Sequence, residues 1–305
     1  MLVQRTRSSK DSSQSSADST VVTPQEESVL TSHLEMQETE LFVRDVARQR
    51  EFYEKHVGLA VLDERSDEVT LGYSQRPVVR LVQDASLATP SASSAGLYHT
   101  AIVFESRSTL AQALERVLRS APNTYQGSAD HLVSEAFYFV DLEGNGLELY
   151  FDKPASSWRW QDGEVAMDSI FIDVNQYIQQ HAAISASPVS KMGHVHLKVG
   201  SIAEAKKFYV DVLGFRVTSE RPTALFVSDR QYHHHLGMNV WESNGASPRI
   251  PSLGLKSVAM SVASEGDVAR LKQRLDEADI SYTEQDGEVV VLDPWKNELR
   301  FSVFK

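Results

Sequence analysis

Ten histidines and not one cysteine set the chemistry open to this 305-residue chain. Two stretches concentrate the imidazoles: Gly193-His194-Val195-His196-Leu197-Lys198-Val199 and Tyr232-His233-His234-His235-Leu236-Gly237-Met238-Asn239-Val240-Trp241. Both alternate with the period of a strand. In the first, His194, His196 and Lys198 oppose Val195, Leu197 and Val199. In the second, His233, His235, Gly237, Asn239 and Trp241 oppose Leu236, Met238 and Val240. Two strands that bury aliphatics on one face and present imidazoles on the other read as the wall of a polar cavity. Imidazole is the commonest metal ligand among side chains, so a divalent cation is the first chemistry to consider. A histidine on the open face of a half-exposed sheet can equally be an ordinary solvated residue. The absence of thiols removes disulfides, thiolate metal sites and cysteine nucleophiles.

The elements that would position these histidines recur along the chain. Leu41 to Tyr53 aligns without a gap on Leu197 to Tyr209, and Gly58-Leu59-Ala60-Val61 on Gly214-Phe215-Arg216-Val217. The spacing predicts a strand, a short helix stopped by a glycine, then a second strand. A second kind of unit follows each of these. Its first copy has a strand at Leu97 to Phe104 and a helix at Thr109 to Leu118. Strands at Glu135 to Val140 and Leu147 to Phe151 follow, around the turn Asp141 to Gly146. Leu255 to Val262, Val268 to Ala278, Val289 to Leu292 and Leu299 to Phe304 repeat that order, with Asp293-Pro294-Trp295-Lys296-Asn297 as the matching turn. The expectation is an α+β fold of four βαβββ units, one and three alike, two and four alike.

Composition bounds the rest. A net charge of −12 with no basic patch argues against nucleic-acid and anionic-membrane partners. No apolar run approaches the roughly 20 residues that span a bilayer. Residues 1–32, rich in Ser, Asp and Gln around Ser8 to Thr20, read as a disordered leader; Arg5, Arg7 and Lys10 only weakly suggest a transit peptide, and a cytoplasmic location is expected. Residues 33–152 and 192–305 are expected as two domains of two units each. Between them, 153–191 reads as a partly packed linker with Trp158, Trp160, a short strand at Ile170 to Val174 and a Ser/Ala/Pro stretch at Ser185 to Ser190.

These motifs, in this order and duplicated, resemble the vicinal oxygen chelate superfamily over about residues 33–305: glyoxalases, bleomycin resistance proteins and extradiol dioxygenases. Gly96-Leu97-Tyr98-His99, Asp130 to Ala136, Gly144 to Tyr150 and the run from His233 to Asn239 are similar to bacterial catechol-2,3-dioxygenase-like proteins. The resemblance implies curved mixed sheets around cavities, with metal ligands at the start of a unit's first strand and on its last strand. Carried over, these positions are His99 and Glu148 in unit two and His194 and His235 in unit three. Extradiol enzymes place their two histidines and one glutamate in units three and four, but unit four here carries Ser257 and Arg300, which would bind no divalent cation. Units two and three are therefore expected to share one cavity, with His235 on the metal or directly behind it.

The activity so implied is extradiol cleavage of a catechol-type diol by dioxygen at Fe(II), with Mn, Ni or Zn as alternative ions. His131 and His233 are candidate bases, and Tyr150 a hydrogen-bond donor to substrate or metal-bound water. Four protein ligands would instead suit a glyoxalase-type lyase or isomerase. A metal-free binding protein of the bleomycin-resistance kind is the third alternative. The partners so implied are a small aromatic diol and dioxygen, with a homo-oligomer compatible with the sequence.

Overall fold

The computed structural model describes residues 33–182, 190–229 and 232–304. The expected leader, 1–32, and most of the Ser/Ala/Pro stretch lie outside the described residues. All four βαβββ units are formed. Unit one comprises β1 (Leu34–Val43), α1 (Val46–Glu51), β2 (Ala60–Glu64), β3 (Glu68–Tyr73) and β4 (Arg76–Gln83). Unit two comprises β5 (Gly96–Phe104), α2 (Arg107–Ser120), β6 (Tyr125–Asp130), β7 (Ser134–Val140) and β8 (Gly146–Asp152). A hairpin of β9 (Trp160–Gln161) and β10 (Glu164–Val165) and a helix α3 (Val174–His181) follow. Unit three is β11 (Ser190–Lys198), α4 (Ile202–Lys206), β12 (Arg216–Arg221), β13 (Ala224–Ser228) and β14 (Leu236–Asn239). Unit four is β15 (Gly254–Val262), α5 (Glu265–Glu277), β16 (Tyr282–Gln285), β17 (Glu288–Leu292) and β18 (Glu298–Val303).

The strands form two eight-stranded mixed sheets, each drawing one unit from either half of the chain. One sheet runs β16-β17-β18-β15-β1-β4-β3-β2, joining units four and one; the other runs β12-β13-β14-β11-β5-β8-β7-β6, joining units three and two. The joins are antiparallel, β1 with β15 and β5 with β11. Alternation explains what each face does. Ile102, Phe104, Leu147, Leu149, Phe137 and Phe139 point into a continuous core shared by both sheets, while His99, Glu148 and Tyr138 lie on the opposite face. The outermost strands β6 and β12 line one and the same cavity, through Ser128 and Ser219, so this sheet curls around it.

Side-chain ties cross between the sheets. The helix of unit one continues to Val57 and buries Tyr53, whose hydroxyl donates to Asp141 of unit two at 3.1 Å. Tyr209 does the same to Asp293 at 3.0 Å. Each aspartate also accepts the backbone N–H and the side-chain amide of Asn145 or Asn297. The D-x-x-x-N turn and the Phe-Tyr pair are thus two halves of one brace.

The segment after unit two departs from expectation. The strand expected over 170–174 does not form: Ile170 makes only an isolated bridge to Asp130, and Val174 begins a helix. Asp173 caps that helix through the N–H of Gln176, which favours it over a continued strand. The segment touches both free edges of the curled sheet. Met167 O accepts from Arg221 on β12 and Ile172 O from Ser128 on β6.

Candidate metal centre

Unit two brings His99 from β5 and Glu148 from β8, and unit three brings His194 from β11. Thr100 pairs with Leu147 and Ala101 with both Glu148 and His194, so strand register alone sets the three side chains side by side. His99 Nε2 lies 2.9 Å from Glu148 Oε2, His194 Nε2 lies 3.3 Å from the same oxygen, and the two nitrogens are 3.4 Å apart. Bonds of about 2.1 Å to one ion put neighbouring ligand atoms about 3.0 Å apart at right angles and about 3.4 Å apart in a tetrahedron. The three atoms fit a single divalent cation on one face. All three residues are buried, and among the described residues they are the one group of His, Cys, Asp or Glu side chains so arranged.

Electrostatics agrees with the donor set. Burial opposes the charge on Glu148, but His194 and His99 outweigh it and hold the carboxyl well below its ordinary range. Burial pulls the His194 imidazole below its ordinary value, against the opposing pull of the Glu148 carboxylate. Among the described residues the buried Nδ1 of His194 has no partner, and the ring is engaged through Nε2.

A cavity of about 560 Å³ opens over the group. Tyr98, Phe226 and Trp241 give it aromatic walls, and Arg221 lies at its edge. His131 stands where the sequence placed it, in this cavity. Its Nδ1 faces the Asp168 carbonyl at 2.7 Å and so carries the proton, which leaves Nε2 to accept the Tyr138 hydroxyl at 2.5 Å.

The structure does not bring three other candidates into this cavity. His235 hydrogen-bonds Ser228 at 3.0 Å, pairs with Asp229 at 3.3 Å, and lines a second cavity of about 610 Å³ instead. The expectation that it holds or backs the metal is corrected: β14 begins only at Leu236, so period-two alternation does not extend back through 233–235. Since Val195 pairs with Leu236 as Thr100 pairs with Leu147, the position matching Glu148 is Gly237, where a Cβ would lie 3.0 Å from the His196 ring. His233 is buried behind the wall, between Asp152 and His234. Tyr150 points the same way, its hydroxyl 2.7 Å from that of Tyr232, and it needs Gly193, where a Cβ would fall 2.0 Å from that hydroxyl.

Three cavity residues received no role in the sequence reading, although His196 had been placed on the cavity face. Tyr138 sits on β7 opposite Glu148, and His196 lies between Tyr98 and Trp241. His234, given no role in the sequence reading, packs on His194 with ring centroids 4.2 Å apart. The usable signals were the position of Tyr138, two after Ala136 on a strand facing Glu148, and that of His196 on the same strand face as His194. Of the tryptophans, Trp241 lines the cavity, Trp158 donates to Val133 and Lys153 carbonyls, and Trp160 is partly exposed on the hairpin.

Comparison with known proteins follows this geometry. The sequence profile of the Glyoxalase/Bleomycin resistance protein/Dioxygenase superfamily matches residues 191–301. A Bacillus subtilis (strain 168) protein named catechol-2,3-dioxygenase is 32% identical over 263 residues, covering 83% of this chain and 92% of that protein. Among solved structures, a Bacillus subtilis protein described as a candidate dioxygenase superposes with a TM-score of 0.60 at 11% identity, over 88% of this chain and 84% of that one. Maize glyoxalase I superposes with a TM-score of 0.55 at 14% identity, over 90% and 94%. Among the described residues no helix is long and apolar enough to cross a membrane. Fold, ligand geometry and sequence identity agree, and the chain belongs to the glyoxalase/bleomycin resistance protein/dioxygenase superfamily.

Proposed function

We propose that this chain is an extradiol ring-cleaving dioxygenase that takes a catechol-type diol and dioxygen, with Fe(II) held by His99, Glu148 and His194. The observation that carries the reading is the ligand count. Three atoms converge on one face, and the position where a fourth could stand is Gly237. A two-histidine, one-carboxylate set of this kind suits Fe(II), which would supply positions for both diol oxygens and for dioxygen.

The surrounding residues suit that chemistry. Tyr98 and Trp241 meet edge to face, 5.2 Å apart, and offer a flat ring apolar walls. Burial holds the Tyr138 phenol well above its ordinary range, so it stays protonated and gives its hydrogen to His131. Its oxygen is then free to accept a hydrogen bond from a substrate hydroxyl, with His131 behind it to receive the proton. Burial keeps His234 far below its usual value, as a neutral base beside His194.

The test is oxygen uptake by Fe(II)-reconstituted protein on a panel of catechols, with the yellow ring-opened product followed optically. Uptake that vanishes in Glu148→Gln supports the reading. No uptake with any catechol, together with isomerisation of a hemithioacetal, would replace it with the glyoxalase-type alternative. The same location of ligands in protein that turns over neither substrate would favour the binding-protein reading.

A further inference from the structure

A third cavity, of about 930 Å³, lies between the two sheets. The first strands of units two and four begin at it, with Gly96-Leu97 and Gly254-Leu255. The connectors that precede those strands meet there, Leu253 donating its N–H to the Ala88 carbonyl at 2.9 Å. Four cations line this cavity, Arg44, Arg48, Lys198 and Arg249, in a chain whose net charge is −12.

The chain's own acids leave these cations unmatched. Among the described residues none of the three arginines pairs with a carboxylate, and Lys198 reaches only Glu242, at 3.9 Å. The other two acids at the cavity are held by backbone. Glu143 accepts the N–H groups of Arg44 and Asp45, and Asp45 accepts that of Arg48. Two of the cations are also fixed in place. Arg249 donates to Asn297 Oδ1 at 3.1 Å and to the Leu255 carbonyl at 2.6 Å, and Lys198 donates to the Ala92 carbonyl at 2.8 Å. These acceptors are neutral, so they orient the two charges without cancelling them. Burial pulls Arg249 and Lys198 below their ordinary values, and the nearness of Arg249 adds to the fall of Lys198. Like charges held close in a partly buried cavity are costly until an anion lies between them.

We infer that this cavity is a second ligand site, which takes a small dianion between Lys198 and Arg249, its charges carried by two carboxylates or by one phosphate group. The fork of Arg249 suits either group, since both present paired oxygens, and the Lys198 ammonium adds a point charge. Arg44 and Arg48, exposed at the cavity, draw the anion in. Nothing in the site depends on which reaction the metal centre carries out.

The experiment is titration calorimetry of the full chain, loaded with Zn(II), against inorganic phosphate and, separately, against succinate. One equivalent of anion per chain is expected. Tighter uptake of phosphate marks a phosphorylated ligand, and tighter uptake of succinate a dicarboxylate. Lys198→Gln and Arg249→Gln should each weaken the uptake about 10- to 100-fold, the loss of one charge-assisted contact. Ser94→Glu, which supplies a carboxylate from the cavity lining beside the Ala92 carbonyl, should abolish it. If Arg249→Gln fails to fold because Asn297 and Leu255 lose their donor, Lys198→Gln and Ser94→Glu decide the outcome. No uptake of either anion, or uptake unchanged in Lys198→Gln or in Ser94→Glu, as for an anion seated on the metal, would overturn the inference.

Discussion

The two sheets contain the same site twice and use it in opposite ways. In the curled sheet of units two and three, the matched positions hold His99, Glu148, His194, His196 and Gly237. In the sheet of units four and one, identical register places Ser257, Arg300, Glu38, Glu40 and Arg80 there, since Val258 pairs with Leu299 and Thr39 with Val79. Those side chains neutralise one another. Arg300 lies 2.6 Å from Glu40, Arg80 lies 2.8 Å from Glu38 and 3.3 Å from Glu40, and Lys256 and Ser257 add contacts to Glu40 at 2.6 and 2.8 Å. Glu68 and Glu288 complete the pairing of the two arginines. One copy gathers acceptors around a place for a cation; the other carries its own cations on the chain. A duplicated framework conserves geometry, and a few side chains decide whether that geometry is a binding site or a strut.

The largest expected effect separates the two copies. Glu148→Gln or His194→Ala should lower metal affinity and turnover by more than the roughly 10–100-fold cost of losing a supporting hydrogen bond, whereas Arg300→Gln should leave both unchanged. Metal content after dialysis and oxygen uptake measure this, and equal losses on the two sides would break the comparison.

Stability should show the reverse asymmetry. Glu40 is 2% exposed and faces three cations that are each about a quarter solvent-exposed. Glu40→Gln should therefore cost about 2–3 kcal/mol, a discount on the 3–5 kcal/mol of a fully buried broken pair. Urea titration of the metal-free protein checks it.

Acid should weaken the curled sheet through its imidazoles. Burial lowers His235 to about 4 against an ordinary 6.5. The unfolded chain therefore takes up the proton first. The stability it contributes is fully present above pH 6.5 and lost as pH falls from there through about 4, amounting to up to about 3 kcal/mol. Thermal unfolding of metal-free protein across that window should show a decline that His235→Gln reduces.

The smallest effect would sharpen the comparison most. Arg80→Gly, Ser257→His and Arg300→Glu together rebuild the ligand pattern around Glu38, with Glu38 in the place of His194. A second, weaker equivalent of bound divalent ion is expected by titration calorimetry. A stoichiometry still at one would mean that register is not sufficient.

Much of this was legible in residue order. The repeat Leu41 to Tyr53 on Leu197 to Tyr209 and the two Asp-to-Asn turns announced four units, because their spacing serves local requirements: a helix stop, a capped turn, a buried tyrosine. His99, Glu148 and His194 were legible as candidate ligands through the resemblance, which assigns ligands to fixed steps along a unit's first and last strands. Ser257 and Arg300 announced that unit four had given up its site.

What sequence could not supply was the path of the chain where it leaves regular structure. Alternation fixes sides only along paired, extended backbone, and the three histidines 233–235 precede β14. Hence His235 was placed in the metal cavity when it belongs to the second, and His234 was overlooked. Tyr150 shares Glu148's face as expected, but only the gap at Gly193 determines that its hydroxyl passes through the wall. The sequence by itself determined the units and their strand faces, because period and local turn chemistry are short-range, and the resemblance added three candidate ligands. The register of β5 on β11, the matching of Gly237 to Glu148 and the contact of Asp152 with His233 were decided by tertiary structure, because each depends on atoms brought together across about forty to one hundred residues of chain.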